Sequence, residues 1–140
     1  MTLYRNPGLA ALLLRLSLGV MYLTHAGLKV FTFGMPAAAA FFEAQGFPAW
    51  SVWIVVPAEV LGGLMLIAGL WTGPVVLALL PVLAGAAWVH LGNGWVFTAP
   101  GGGWEYPVFL MAMSLVQLLL GDGPRLLGAA APRRVELAGS

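Results

Sequence analysis

The stretch WSVWIVVPAEVLGGLMLIAGLWTG, residues 50–73, constrains this chain more than any other. It is long enough to cross a bilayer, which takes about 20 apolar residues, and it carries one acid, Glu59, near its middle. A carboxylate at that depth costs several kcal/mol unless it is protonated or partnered. The helix therefore needs neighbours, and the rest of the chain must supply them.

What is left to make a surface favours an integral membrane protein over a soluble fold. Apolar residues are 61% of the chain and charged residues 8%, against about 25% charged in ordinary soluble domains. The mean hydropathy is +0.94. The expectation is an all-α integral membrane protein, an antiparallel bundle of four transmembrane helices over residues 1–125, with residues 126–140 as a cytoplasmic tail of short helix and disorder. The net charge of +1, with no basic run interleaved with aromatics, gives nucleic acid no footprint. With no cysteine, disulfides, thiol redox chemistry and thiolate-held iron–sulfur centres are excluded within the chain. The N-terminus resembles a signal peptide in charge and apolar run, but Arg15 interrupts the run, so it reads as a retained first span.

Four apolar segments follow from the punctuation. The first spans residues 8–33, opened by Pro7-Gly8 and closed by Gly34 and Pro36, with Arg15 and Lys29 bracketing its apolar centre. The connection 33–49 contains PAAAAFFEAQG, read as a short interfacial helix anchored by Phe41, Phe42 and Phe47, or as a loop with an aromatic plug. The second span is 50–70, with Trp50 and Trp53 at its start and Pro57 just before Glu59. The third is 74–91, reached by so short a link that it must run antiparallel beside the second. A long glycine-rich connection, GNGWVFTAPGGGW, leads to the fourth span, 105–120, which Gly121-Asp-Gly-Pro124 stops. Basic residues gather towards the termini, so the positive-inside rule puts both termini in the cytoplasm and both long connections outside.

At about 1.5 Å per residue, His25 and Glu59 fall at one level, roughly 12–13 Å below the outer ends of their spans. Lys29 shares a helical face with His25 about one turn higher, and His90 and Glu105 come at the outer ends of spans three and four. Lys29 is expected to pair with Glu59 or Glu105, and His25 to bridge to Glu59. Tyr22, Thr24, Trp88 and Asn93 would complete hydrogen bonds, and Trp95 and Trp104 would roof the cluster. The expectation is a small polar pocket in the outer half, a ligand-binding or proton-coupled site formed by His25, Lys29, Glu59, His90 and Glu105. The alternative is that these residues only lock the bundle, although such bonds average under about 1 kcal/mol. The set lacks an HxxxH or ExxH spacing, so no metal is expected, and the two histidines lie at different levels for haem. Gly101-Gly-Gly103 lacks the strand, helix and lysine of a phosphate loop. Arg15, in the other half, is assigned to lipid phosphates, with Gln117 or backbone carbonyls as the alternative.

Arg15 with Gly19, Gly27 with Lys29, Phe42 with Gly46 and Pro48, Glu59-Val-Leu-Gly62-Gly63 with Gly69-Leu-Trp-Thr72, then His90, Asn93-Gly94-Trp95, Gly103 with Glu105, and Gly121-Asp-Gly123 form an ordered set. In these residues the chain resembles the DoxX family of small bacterial and archaeal membrane proteins. Together these extend over about residues 15–125. A basic residue often follows the family's Gly-Leu-x-Thr turn; Gly73 and Pro74 stand there in this chain. The resemblance implies a four-helix inner-membrane protein. It also implies kinship with the membrane subunit of thiosulfate:quinone oxidoreductase and with redox complexes involving superoxide dismutase and a sulfurtransferase. By the same analogy, Glu59, His90 and Glu105 would line any family site.

The combined expectation is a membrane subunit of a redox system, an oxidoreductase subunit that binds a quinone or similar small lipophilic molecule and takes electrons from a redox protein partner. A small-solute transport module and a scaffold for a membrane complex are the alternatives. Besides the lipid bilayer, a second copy of the chain is a compatible partner, because the spans expose glycine and alanine faces.

Overall fold

The computed structural model describes residues 5–126. The tail reading falls on residues outside the described ones from residue 127 on. Among the described residues every regular element is helical. The first helix, α1, is Pro7–Gly27, and it runs on without a break as a π-helical turn, Leu28–Phe33. After Gly34 come a short helix α2, Met35–Ala44, and a 3₁₀ turn, Ala49–Ser51. Then follow α3, Val52–Ala68; α4, Thr72–His90, with a 3₁₀ turn at Leu91–Asn93; and α5, Glu105–Leu120.

Three of these continuous helical stretches are long and apolar enough to cross a membrane, at 27, 20 and 22 residues. The fourth, α5, is apolar but 16 residues long, about 24 Å of rise against a hydrocarbon core of about 30 Å. The architecture is a four-helix membrane bundle. α1 packs on α3 and α5, and α4 packs on α3 and α5, so the helices close a ring in the order α1, α3, α4, α5.

Local chemistry explains the boundaries. Asn6 caps α1, its side-chain oxygen accepting from the Leu9 amide at 3.0 Å, with Pro7 in the first turn. α3 ends at Gly69 in the left-handed conformation, φ +77°, which glycine adopts without penalty. The tight turn then puts Trp71 at φ 48° before α4 begins. Two glycines set the α1–α3 distance. A Cβ on Gly19 would lie 2.8 Å from the Gly63 carbonyl oxygen, and one on Gly63 would lie 2.9 Å from the Gly19 oxygen. Backbone meets backbone there, as small residues permit between membrane helices.

The core is divided. Leu18, Tyr22, Leu66, Val76, Leu79 and Leu83 pack together in the middle of the ring. A second cluster, Ala26, Ala38, Val52 and Val56, seats α2 against α1 and α3. The connection predicted either as an interfacial helix or as an aromatic plug has features of both. It is a helix, and Phe42 and Phe47 meet at 6.4 Å with their rings tilted.

Arg15 corrects the sequence reading. It does not reach for lipid phosphates: it is 0% exposed, and its guanidinium donates to the carbonyl oxygens of Asp122 and, at 2.8 Å, of Pro124. Gly69 makes room for it, since a Cβ there would stand 2.8 Å from the guanidinium carbon. Gln117, also 0% exposed, donates to the Gly121 carbonyl at 2.9 Å. The polar residues at this end therefore hold the turn after α5 against α1 and the end of α3.

Candidate functional site

At the end of the bundle that carries the two long connections, Lys29 comes from the first π turn and Glu59 from α3 two residues after Pro57. The Lys29 ammonium lies 3.0 and 2.9 Å from the two Glu59 oxygens. Its third proton faces the His25 carbonyl at 3.4 Å. The Glu59 side chain is 4% exposed and that of Lys29 18%. The pair is thus mostly out of solvent, where each partner is needed to hold the other's charge. Extra turns of the π kind often mark functional positions in helices; this one brings Lys29 across to α3.

The pair forms part of the wall of a cavity of about 1220 Å³. Most of that wall is apolar or aromatic, including Phe42, Phe47, Val82, Ala86, Phe109 and Leu110. The expected small polar pocket is therefore a large apolar cavity with a few polar groups set in it. Volumes of several hundred to a thousand Å³ with sparse, placed polar groups are usual for small-molecule sites. Gly85 on α4 faces the Phe47 ring, which follows α2; a Cβ there would make an ordinary contact with it at 3.8 Å.

Of the residues singled out from sequence, His25, Lys29, Glu59, His90, Glu105, Tyr22 and Trp95 line this cavity. His25 does not bridge to Glu59. Its Nδ1 bonds the Met21 carbonyl at 2.9 Å, and its ring stacks on Tyr106 with centroids 6.0 Å apart. His90 does the same on α4, its Nδ1 2.6 Å from the Ala86 carbonyl oxygen. Glu105 is not a partner of Lys29; its Oε1 accepts from the Phe97 amide at 3.0 Å, pinning the long connection to the start of α5. An acid in the first turn of a helix also suits the helix dipole.

Three supporting residues sit elsewhere. Trp88 points away from the bundle, 67% exposed. Asn93 donates to the Gly102 carbonyl at 2.8 Å and so braces the loop. Trp104 packs edge-on against Trp95, with centroids 4.6 Å apart. Thr24 satisfies itself on the Val20 carbonyl at 2.8 Å. Among the described residues no three of His, Asp and Glu gather in a metal-binding group.

Sequence reasoning missed most of the apolar wall. Phe42 and Phe47 were visible as anchors, but Val82, Ala86 and Phe109 sit in helices that are apolar all round. There, periodicity does not distinguish a cavity face from a lipid face.

A family model, DoxX, matches residues 10–92. The match runs from α1 to the end of α4 and includes His25, Lys29, Glu59 and His90. Comparison with curated proteins and with solved structures gave no match. A family model that takes in more than half of the 140 residues, on a chain folded as a bundle of apolar helices, is sufficient: this multi-pass membrane protein belongs to the DoxX family.

Proposed function

We propose that this protein is the membrane subunit of a redox system and holds a quinone or similar small lipophilic molecule in the cavity at the loop end of the bundle. The observation that carries the reading is the Lys29–Glu59 pair, set in the wall of an otherwise apolar and aromatic cavity. A purely structural lock would be filled in around its charges; this one borders about 1220 Å³ of space. Aromatic side chains suit a flat ring, and the polar groups suit its oxygen substituents. The chain has no cysteine for a thiolate-held cluster, so in this reading a redox protein partner supplies the electrons. The setting is the cytoplasmic membrane of a bacterium or archaeon, with both termini inside. The ligand-contacting set is His25, Lys29, Glu59 and His90, with Glu105 shaping the loop that covers them.

Titration of the protein in lipid nanodiscs with a short-chain quinone analogue, read by quenching of tryptophan fluorescence, tests this. Saturable binding is expected, weakened about tenfold or more in Glu59→Gln, because the unpaired Lys29 ammonium then disturbs the wall. Absence of saturable binding, or identical binding by Glu59→Gln and by the pair variant Lys29→Met/Glu59→Leu, would remove the redox reading. Proton-driven solute flux in liposomes would then favour transport.

A further inference from the structure

The polar groups around the cavity are unevenly divided between donors and acceptors. Lys29, the one lysine or arginine among the described residues of the wall, has all three ammonium protons engaged, two by Glu59 and one by the His25 carbonyl. The Tyr22 hydroxyl lies beside Ser114, whose own proton goes to the Leu110 carbonyl at 2.8 Å. The Ser51 hydroxyl proton goes to the Pro48 carbonyl at 2.6 Å. The Lys29, Ser51 and Ser114 protons are committed inside the protein.

The two histidines are the counterpart. A backbone carbonyl oxygen can only accept, so the Nδ1 atoms of His25 and His90 must both carry the proton in their bonds to Met21 and Ala86. In the neutral imidazole, Nε2 then holds the lone pair and can only accept. Both rings line the cavity, and neither Nε2 has a hydrogen-bond partner among the described residues. One comes from α1 and the other from α4. Gln45, whose amide can both donate and accept, also lines the cavity, and the other free donors there, Tyr106 and Trp95, are 45% and 56% exposed.

We infer that the cavity takes its lipophilic ligand as a hydroxyl donor, a hydroquinone or phenol, in preference to the carbonyl form of the same ring. Each ring hydroxyl donates to a histidine Nε2, and an oxidised ring, which only accepts, leaves those lone pairs facing it. An unmatched polar group in a water-poor site is penalised more than a matched one is rewarded. The inference rests on the proposed function, since it specifies the chemistry of the molecule held in that same cavity.

The test uses three ligands with one ring and one tail, the hydroquinone, the quinone and the hydroquinone dimethyl ether. They are titrated anaerobically at pH 8 into the protein in nanodiscs. The expected result is that the hydroquinone binds about tenfold or more tightly than the other two. In His25→Phe and His90→Phe, which keep a ring in place, the preference should shrink towards unity. Equal binding of all three, tighter binding of the quinone, or a preference that survives both substitutions overturns the inference while leaving the cavity's occupancy standing. Failure of all three ligands to bind overturns the proposed function along with it.

Discussion

Lys29 and Glu59 enter hydrocarbon together or not at all. Removing one charge from a buried pair typically costs about 3–5 kcal/mol, because the other is left stranded, whereas replacing both with apolar residues is often neutral. Lys29→Met and Glu59→Leu should therefore each lower stability by roughly 3 kcal/mol, and the double variant by far less. Unfolding in a denaturing-detergent titration checks this, and simple additivity would contradict it. Arg15 is the second residue on which the bundle depends. Its two carbonyl partners, Asp122 and Pro124, sit on a turn that has no helix of its own. Arg15→Met should speed proteolysis between residues 121 and 125, and Arg15→Lys should rescue it poorly, because an ammonium lacks the planar fork that reaches two carbonyls at once. Cleavage at the unaltered rate in both would show that the contact is idle.

The elements were more legible than their facing. The fourth span was bounded from sequence at Glu105 and Leu120, where it lies, because Pro107 and Gly121 punctuate it. The second and third spans shifted by a residue or two at their ends, the ordinary fraying of helix limits. The π turn at Leu28–Phe33 left no sequence mark, since it changes hydrogen-bond register without changing composition. The burial of Arg15 was equally hidden: a long basic stem can reach a headgroup or a carbonyl, and only the packed turn decides. Depth arithmetic along antiparallel helices set His25 level with Glu59 and left Lys29 a choice of Glu59 or Glu105; the longer lysine stem, not the level histidine, makes the contact with Glu59. What the helices do to each other is testable at Gly19 and Gly63. Gly63→Val should drive α1 from α3, with a cost on the order of 1–3 kcal/mol and loosened ligand binding, since Lys29 and Glu59 sit on those two helices. An unchanged melting temperature would mean the close approach is not needed.

At the scale of the molecule, four spans put residue 6 and residue 122 on one side of the membrane and the 92–104 connection on the other. The chain has no cysteine, so single cysteines at positions 6, 98 and 122 can be labelled in intact cells with an impermeant maleimide. Labelling at 98 alone is expected; labelling at 6 or 122 instead would invert the orientation. The closed ring α1, α3, α4, α5 leaves its open space at the loop end, under α2 and the long connection, and the proposed function requires that space to be occupied by a lipophilic molecule. The most direct measurement is photocrosslinking with a lipid-soluble quinone analogue carrying the reactive group on its ring, followed by mapping of the modified residues. Adducts are expected to concentrate on Phe42, Phe47, Ala86, His90 and Phe109 and to be competed away by unmodified analogue. Adducts spread over outward-facing residues such as Trp53, Trp88 and Leu119, with no competition, would contradict the proposed function.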